Sequence, residues 1–356
     1  MGQESRYFEA SSRAKKFVKN IVAIDSLAAC VDQGWPREEM FEEYHDRALE
    51  TGITAIGMTV GYGPNDFMSM QHQAARILKH VNARSDSFEI VRTTTDIARV
   101  QELGKHGLFF CAQGCEVLNN NPQQYAPMVR NSGVGTVALA YNEQFRSGDG
   151  CLVTNPDKIT YYGQQVIEAL HDNHILLDLS HASEPTALSA MEYSMKIAPE
   201  TPVIYSHSTP YGVCDVFRSI TDVEVEMCAA TGGVISLVTL PWFIIDPMAR
   251  ETEPKDVVRA IDYVRDLVGI DHIGLSSDDT YSWPPVWEWA KTVPQMYQDG
   301  GVTMAAANAS PTGSAEPAKI YPAIVDLMWE NGYSDDDIKK VLGGNLMRVY
   351  EQVWGK

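Results

Sequence analysis

The sequence predicts an α/β fold, a TIM-type (β/α)8 barrel with extra helices at its C-terminal end. The chain has 356 residues, a length typical of one barrel with insertions. Eight short segments are almost wholly apolar, which indicates strands buried on both faces of a parallel sheet. The predicted strands are 20–25, 53–59, 107–112, 134–140, 174–179, 202–206, 232–238 and 272–277, and a run at 87–92 is consistent with a peripheral strand.

Amphipathic segments with a 3.6-residue period separate these strands and predict helices. The clearest, 93–104, begins with Thr and Asp capping residues and stops at Gly104. A doubly wound open sheet is the alternative fold, but no Gly-x-Gly-x-x-Gly motif follows the first strand. Further helices are predicted at 156–172, 183–195, 221–233 and 253–269, with two or three more within 318–354.

The chain is expected to form one main domain. Residues 1–19 are expected to form an N-terminal helix or extension, and 20–356 a single barrel domain. Pro and Gly clusters predict that 280–317 is a loop insertion over the site. Its aromatic stretch, 280–289, suits either a pocket wall or a subunit interface.

Composition excludes several classes of partner. There are 28 Lys and Arg against 47 Asp and Glu, a net charge of −19, which argues against nucleic acids and anionic membranes. Neither an apolar signal core before Val18 nor a long apolar span is present, so a cytoplasmic protein is expected. The six cysteines are scattered, and Cys111 and Cys115 do not have C-x-x-C spacing, which favours free thiols in a reducing compartment.

Polar residues follow the apolar strands at their C-terminal ends, where barrel enzymes place their chemistry. Two predicted neighbouring strands end in Ser180-His181 and Ser206-His207, and the last strand ends at Asp278. Two imidazoles and a carboxylate at one barrel mouth suit a metal site or acid/base chemistry. Other strand-end candidates are Asp25, Gln113 and Tyr141-Asn142.

The chain resembles the membrane (renal) dipeptidase family of the amidohydrolase superfamily. The stretches "LLDLSHASE", "PVIYSHSTPYGVCDVFRSITD" and "GGNLMRVYEQV" carry the resemblance, and "LAYNEQFRSGDGC" and "IGLSSDD" match more loosely. It extends from roughly residue 20 to the end, so it covers the whole predicted barrel.

The resemblance implies specific roles. His181 and His207 match the two histidines that bind the family's second zinc, and Asp278 matches the aspartate that handles the proton during water attack. Arg218 matches an arginine that holds the substrate carboxylate, a task suited to a planar bidentate donor. Tyr211 matches a position near the pocket, and family dimers imply a homodimer.

The sequence departs from the family at the first zinc. Where the family has Asp-Gly-His-x-Asp, this chain reads Asp25-Ser26-Leu27-Ala28-Ala29, and Leu27 and Ala29 cannot bind metal. Gln113 stands where the family has a bridging glutamate, unless a shifted alignment makes Glu116 the bridge.

A family histidine that polarises the scissile carbonyl falls at Tyr141. A two-zinc centre needs anionic ligands and a bridging carboxylate, so these changes argue against one.

The sequence therefore predicts a divergent, dipeptidase-like hydrolase with a reduced centre. In one version, His181 and His207 bind a single divalent metal, with or without Asp278; zinc is expected because it binds imidazole well. In the other version, no metal binds. Without metal, Asp278 acts as general base and the histidines stabilise the oxyanion. The expected substrate is a small carboxylate-bearing amide, cyclic amide or lactone. The predicted substrate-binding residues are Arg218, Tyr141, Asn142, Tyr211, Gln113 and Asp25.

Two alternatives remain open. One is a functional zinc dipeptidase. The other is a non-catalytic protein that binds a small acid or serves in an assembly.

Overall fold

Eight parallel strands form the wall of a nearly closed barrel in the computed structural model, which describes residues 7–28, 39–245, 251–280 and 316–356. A ninth strand, β3, pairs in parallel with β4 outside the main path. The predicted fold is confirmed, and so is the peripheral strand near 87–92. The strands are β1 (Ile24–Ala28), β2 (Ala55–Tyr62), β3 (Phe88–Ile90), β4 (His106–Gln113), β5 (Val134–Ala138), β6 (Leu176–Asp178), β7 (Ile204–Ser208), β8 (Val234–Val238) and β9 (Ile273–Ser276).

Helices follow most strands and surround the barrel. Short 3-10 turns lie at Cys115–Leu118 and Ile270–His272, and a π-helical turn at Lys340–Gly344. The helices are α1 (Ser12–Lys19), α2 (Glu39–Thr51), α3 (Phe67–Ala83), α4 (Thr94–Leu103), α5 (Pro122–Asn131), α6 (Tyr161–Asp172), α7 (Glu184–Ile197), α8 (Asp222–Ala230), α9 (Pro241–Ile244), α10 (Pro254–Val268), α11 (Pro317–Glu330), α12 (Asp335–Lys339) and α13 (Asn345–Trp354). None of the helices in these described ranges is long and apolar enough to cross a bilayer.

Two helix boundaries differ from prediction by three residues or more. The helix predicted from 156 begins at Tyr161, because Thr160 caps it and the backbone N–H of Asp157 is bound by Asp149 Oδ2 instead, at 2.7 Å. The helix predicted to reach 233 ends at Ala230, because Gly232 turns the chain in the left-handed region at φ 81°. The predicted ends of α4 are confirmed: Thr93 forms a capping box at its start, and Gly104 ends it with φ 65°.

Polar contacts join the first and last strands and complete the barrel. The Asp278 N–H donates to the Leu27 carbonyl at 2.9 Å, and the Ser276 hydroxyl donates to the same oxygen at 2.8 Å. The Ser277 N–H donates to Asp25 Oδ1 at 2.8 Å. The seam between β1 and β9 therefore ends beside Asp278.

The C-terminal helix α13 closes the opposite end of the barrel. Its apolar side chains pack on the first residues of five strands: Ile24, Ala55, Leu176, Ile204 and Val234. This plug leaves the C-terminal ends of the strands as the open end of the barrel, where the predicted site residues lie.

Two buried histidines lie beneath α2, away from the predicted site. His45 Nδ1 is 3.0 Å from His106 Nε2, and His106 Nδ1 lies 2.7 Å from the Ile53 carbonyl oxygen. Burial lowers the pKa of both rings, to about 4 for His106. The native state therefore holds them neutral.

This pair predicts that stability falls in mild acid. Between the unfolded pKa near 6.5 and the lowered native value, the unfolded chain binds more protons, so stability is lost as pH falls. We expect His106 alone to cost about 2 kcal/mol of unfolding free energy between pH 7 and pH 5. Urea denaturation of His106→Gln at both values should show a smaller loss than the unmodified chain.

The exposed His72 supplies the matched control, and His72→Gln should leave the loss unchanged. If His106→Gln loses as much unfolding free energy between pH 7 and pH 5 as the unmodified chain, the assignment of His106 as a buried neutral histidine is contradicted.

Candidate active site

The structure brings four of the predicted site residues into direct contact at the open end of the barrel. His181 follows β6, His207 lies in β7, Gln113 ends β4 and Asn142 follows β5. The two imidazole Nε2 atoms are 2.8 Å apart. Gln113 Oε1 lies 2.9 Å from His181 Nε2, and Asn142 Oδ1 lies 2.6 Å from His181 Nδ1.

Both histidines are buried, at 6% exposure for His181 and 1% for His207. Burial and the nearby Arg218 guanidinium lower the pKa of both imidazoles well below the usual value. The pair is therefore neutral near pH 7 and can present nitrogen lone pairs or N–H groups, but not two positive charges.

Tyr141 covers the His181 ring. The two ring centroids are 4.1 Å apart and the planes differ by 30°. The Tyr141-Asn142 turn packs on Gly150, where a Cβ would lie 1.7 Å from the Tyr141 carbonyl oxygen. No residue with a side chain fits there, so Gly150 fixes the turn that carries both predicted pocket residues.

Two residues of the site have left-handed backbone conformations. His181 has φ 70° and Asp278 has φ 48°. Such conformations cost on the order of 1–3 kcal/mol in residues other than glycine and persist where the surroundings hold them. The Cys151 N–H donates to the His181 carbonyl at 2.8 Å, and Asp278 is held by Leu27 at the seam.

Two buried aspartates each bind the serine that precedes a site residue; we call this arrangement an Asp–Ser clamp. In the first, Asp178 Oδ1 accepts the Ser206 N–H at 3.0 Å and Oδ2 accepts the Ser206 hydroxyl at 2.5 Å, next to His207. In the second, Asp25 accepts the Ser277 N–H and hydroxyl in the same way, next to Asp278. Sequence reasoning noticed the paired Ser-His ends but gave Asp178 no role.

Asp25 is wholly buried, and its observed hydrogen bonds go to Ser277 and to the Leu27 N–H. Burial raises the pKa of Asp25 to about 8. Its predicted contact with substrate stays a prediction, whereas its place in the seam between β1 and β9 is observed.

Asp278 is partly exposed at the end of β9. Burial raises its pKa to about 7, Arg218 opposes this shift, and Asp279 adds to it. A carboxyl group with such a pKa accepts and returns protons near neutral pH.

Arg218 is a buried cation, 5% exposed, in the loop after β7. It donates to the His207 carbonyl at 3.1 Å, and its guanidinium carbon lies 5.7 Å from the Phe243 ring centroid. Across the described residues, no carboxylate oxygen lies within 4.0 Å of it. Its charge lowers the pKa of His181, His207 and Asp278, and its hydrogen bond to the His207 carbonyl places it next to that residue.

Tyr211 lies farther out on the same loop. Its side chain is 41% exposed, and its N–H donates to the Ile220 carbonyl at 2.9 Å. This places it at the outer edge of the loop that carries Arg218. Residues 281–289, the aromatic stretch apart from Thr280, lie outside the described residues, as does most of the predicted insertion.

A comparison with protein-family models matches residues 40–299 to "Membrane dipeptidase (Peptidase family M19)". The chain belongs to the membrane dipeptidase family. Among its relatives, it is 24% identical over 302 residues to dipeptidase tcpJ of Claviceps purpurea, covering 82% of this chain and 63% of that protein. It is 26% identical over 200 residues to dipeptidase 3 of Mus musculus, covering 56% of this chain and 34% of that protein. The chain thus spans less than two thirds of the length of these relatives.

Solved structures show the same fold over nearly the whole chain. An amidohydrolase from Pseudomonas aeruginosa has a TM-score of 0.81 at 24% identity, covering 96% of this chain and 99% of that one. A metallo peptidase from Rhodobacter sphaeroides, liganded with a phosphinate mimic of L-Ala-D-Ala, has a TM-score of 0.72 at 16% identity, covering 94% and 100%.

The two-zinc centre implied by membrane dipeptidases does not fit the residues present. Leu27 is apolar and Gln113 is neutral, while Ala29 lies outside the described residues. Glu116, the alternative bridge, pairs with Arg146 at 3.0 Å on the surface-facing side of its 3-10 turn. In the described part of the chain, no three His, Cys, Asp or Glu side chains are arranged to hold a metal ion.

What remains for a metal is a set of neutral donors. His181 Nε2 lies 2.8 Å from His207 Nε2 and 2.9 Å from the Gln113 amide oxygen. Tetrahedral zinc would need the nitrogens to separate by roughly 0.5 Å, since each Zn–N bond is about 2.0–2.1 Å long. The set therefore suits one metal after a small adjustment, and does not suit two.

The neutral donors His181, His207 and Gln113 predict how much metal the protein binds. Protein purified without chelator should carry at most one zinc per chain, because the first site has lost its ligands. Metal analysis by mass spectrometry checks this. Any bound zinc should be lost in His207→Ala and kept in the control His72→Ala. Two zincs per chain would contradict the prediction.

Proposed function

We propose that the protein hydrolyses a small carboxylate-bearing amide, cyclic amide or lactone with a reduced centre that uses one metal or none. The observation that carries this proposal is Arg218, a buried guanidinium that donates to the His207 carbonyl and has no carboxylate partner in the described residues. A buried cation is stable only when paired, so the vacant side of the fork suits an anionic group of the substrate.

The neighbouring side chains fit the rest of a small substrate. Asn142 and Gln113 contact the His181 imidazole directly, and Tyr141 stacks on it. These groups would place the reacting carbonyl near the imidazoles, while Arg218 holds the carboxylate and Tyr211 borders the entrance. Holding both ends of the substrate lowers the entropic part of the activation barrier, which matters most in a site that polarises the carbonyl only weakly.

Asp278 would serve as the general base. Its carboxylate takes a proton from water while the water oxygen bonds to the carbonyl carbon. The charge that develops on the carbonyl oxygen is stabilised by the Nε2–H of His181, which turns to it from His207 Nε2 and Gln113 Oε1. The C–N or C–O bond then breaks, and the protonated Asp278 returns the proton to the leaving atom.

Were a metal to bind, the Nε2 atoms of His181 and His207 would hold it, and it would polarise the carbonyl as a Lewis acid. A centre with one metal or none polarises the carbonyl less than a two-metal centre. Activated carbonyls, as in lactones and strained cyclic amides, are therefore the better match than a plain peptide bond.

The relatives named dipeptidases support a second candidate, hydrolysis of dipeptides by a zinc enzyme. The loss of charged groups at the first zinc site weighs against it. A non-catalytic protein that binds a small acid would keep Arg218 without turnover, and the variants below distinguish these cases.

We further propose a cytoplasmic homodimer that binds neither nucleic acid nor membranes. The five described cysteines are all free thiols, which fits a reducing compartment. The net charge of −19 disfavours polyanionic partners. Light scattering measures the oligomeric state directly.

Asp278 predicts the pH dependence of turnover. Because a base must be ionised, kcat/KM should rise as pH increases through about 7 and fall below it. Asp278→Asn should lower kcat at least 100-fold, by the typical contribution of a general base, and remove this limb. Suitable substrates are pyroglutamate and its lactone analogue, with oxygen in place of the ring nitrogen. An unchanged acid limb in Asp278→Asn would contradict the assignment.

Arg218 predicts selectivity for the carboxylate. Arg218→Gln should raise KM for the carboxylate-bearing lactone roughly 10- to 100-fold, as expected for a lost charge-assisted bidentate contact. The same change should scarcely affect the methyl ester of that lactone, which serves as the matched control. Equal losses for acid and ester would argue against a carboxylate contact. Binding of the acid without turnover in any variant would favour the non-catalytic alternative.

A further inference from the structure

The first Asp–Ser clamp, Asp178 with Ser206, reaches a site imidazole directly. Asp178 is 1% exposed, Ser206 is fully buried, and the Ser206 hydroxyl oxygen lies 2.7 Å from His207 Nδ1. The same oxygen lies 2.5 Å from Asp178 Oδ2. A carboxylate, a hydroxyl and an imidazole thus form one hydrogen-bonded row that runs from the barrel interior to the histidine pair.

Counting protons along this row fixes the direction of each hydrogen bond. Burial raises the pKa of Asp178, but two backbone N–H groups and the Ser206 hydroxyl donate to its oxygens and favour the ionised form, which only accepts. The 2.5 Å separation is typical of a hydroxyl donating to a carboxylate. Ser206 has one hydroxyl proton, so once that proton is given to Asp178 its oxygen can only accept from His207. His207 must therefore carry its proton on Nδ1 and a lone pair on Nε2.

We propose that Asp178 and Ser206 are positioning residues that fix the tautomer of His207, with the Nε2 lone pair directed at His181. The inference rests on the proposed function, since only in a working site does this tautomer matter for turnover. His207 Nε2 then accepts the Nε2–H of His181 across 2.8 Å, and the bare His181 Nδ1 requires the Asn142 amide to present its N–H at the 2.6 Å contact. The same lone pair would be needed to hold a metal, so both versions of the centre require it.

The second clamp shows that the arrangement at His207 does more than hold two strands together. Asp25 and Ser277 make the same pair of hydrogen bonds between β1 and β9, but Ser277 precedes an aspartate and the structure records no imidazole on its hydroxyl. An Asp–Ser clamp can therefore join two strands without a histidine. The chain therefore contains a natural comparison: one clamp with a histidine and one without.

Asp178→Asn is the sharpest test because it keeps the size of the side chain. The remaining carbonyl oxygen can still accept the backbone N–H groups of Ser180 and Ser206, now 2.9 and 3.0 Å from Oδ1. The introduced amide N–H would donate to the Ser206 hydroxyl, which turns its own proton to His207 Nδ1. We expect the His207 proton to move to Nε2, as happens when an asparagine replaces a tautomer-fixing aspartate.

The readout is the imidazole nitrogen spectrum of protein labelled with 15N-histidine, in which protonated and unprotonated nitrogens are well separated. The chain has nine histidines, and His207→Gln identifies the signals of interest. We expect Nδ1–H in the unmodified protein and Nε2–H in Asp178→Asn. Asp25→Asn, which alters the clamp without a histidine, should keep the Nδ1–H form, as should Ser236→Ala, a buried barrel serine on β8.

An Nε2–H form in the unmodified protein, or no change in Asp178→Asn, would overturn the inference. If Asp178→Asn does not fold, Ser206→Ala decides. Without the hydroxyl acceptor, His207 should show a mixture of both tautomers, and a retained pure Nδ1–H form would overturn the inference.

Kinetics then separate this inference from the proposed function. Asp178→Asn should lower kcat for the carboxylate-bearing lactone about 100-fold or more with little change in KM. If the spectra behave as expected but the unmodified protein turns over no substrate, the proposed function fails and the positioning role stands. If His207→Gln abolishes turnover but Asp178→Asn changes neither tautomer nor rate, the positioning role fails alone.

Discussion

The whole site depends on two carboxylates buried inside the barrel. A buried carboxylate is costly unless several donors satisfy it, and Asp178 and Asp25 each bind backbone and hydroxyl donors of a serine on a neighbouring strand. These hydrogen bonds offset the cost of burying the carboxylates and fix the adjacent strands relative to each other. Because each clamped serine precedes a site residue, the positions of His207 and Asp278 are set by these carboxylates.

The electrostatics of the barrel mouth follow from the same burial. Two imidazoles in contact cannot both be charged, and the adjacent Arg218 makes their protonation still less favourable. The mouth therefore has one fixed positive charge, a neutral imidazole pair and Asp278, whose pKa of about 7 lets it change charge near neutrality. Such a site suits binding of an anion and transfer of one proton more than the assembly of two divalent ions.

Much of this could be predicted from the sequence. Apolar strand runs in a parallel barrel are almost continuous, so the sequence predicts all eight wall strands and the short β3. The first strand is placed wrongly at 20–25, since β1 runs from Ile24 to Ala28 and Asp25 lies inside it. The contact between His181 and His207 followed from their matching positions at the ends of adjacent strands. Family membership explains why motif and fold agree, and it is shown by the match over residues 40–299.

The parts that were missed depend on contacts between distant residues. The start of α6 at Tyr161 is set by Thr160 and by the capture of the Asp157 N–H by Asp149, which an amphipathic pattern does not encode. Asp178 precedes a motif histidine and resembles an ordinary strand residue until Ser206, on the next strand, is placed beside it. Likewise, the sequence predicts that Asp25 contacts the substrate, and only the structure shows its bonds to Ser277.

We propose that half of a two-metal centre has been replaced and that hydrolysis continues with one metal or none. The most direct measurement is kcat for a carboxylate-bearing lactone as a function of zinc bound per chain, from chelated to saturated protein. We expect the full rate at or below one zinc per chain, with no further gain at higher occupancy. A rate that appears only when a second zinc binds would contradict it.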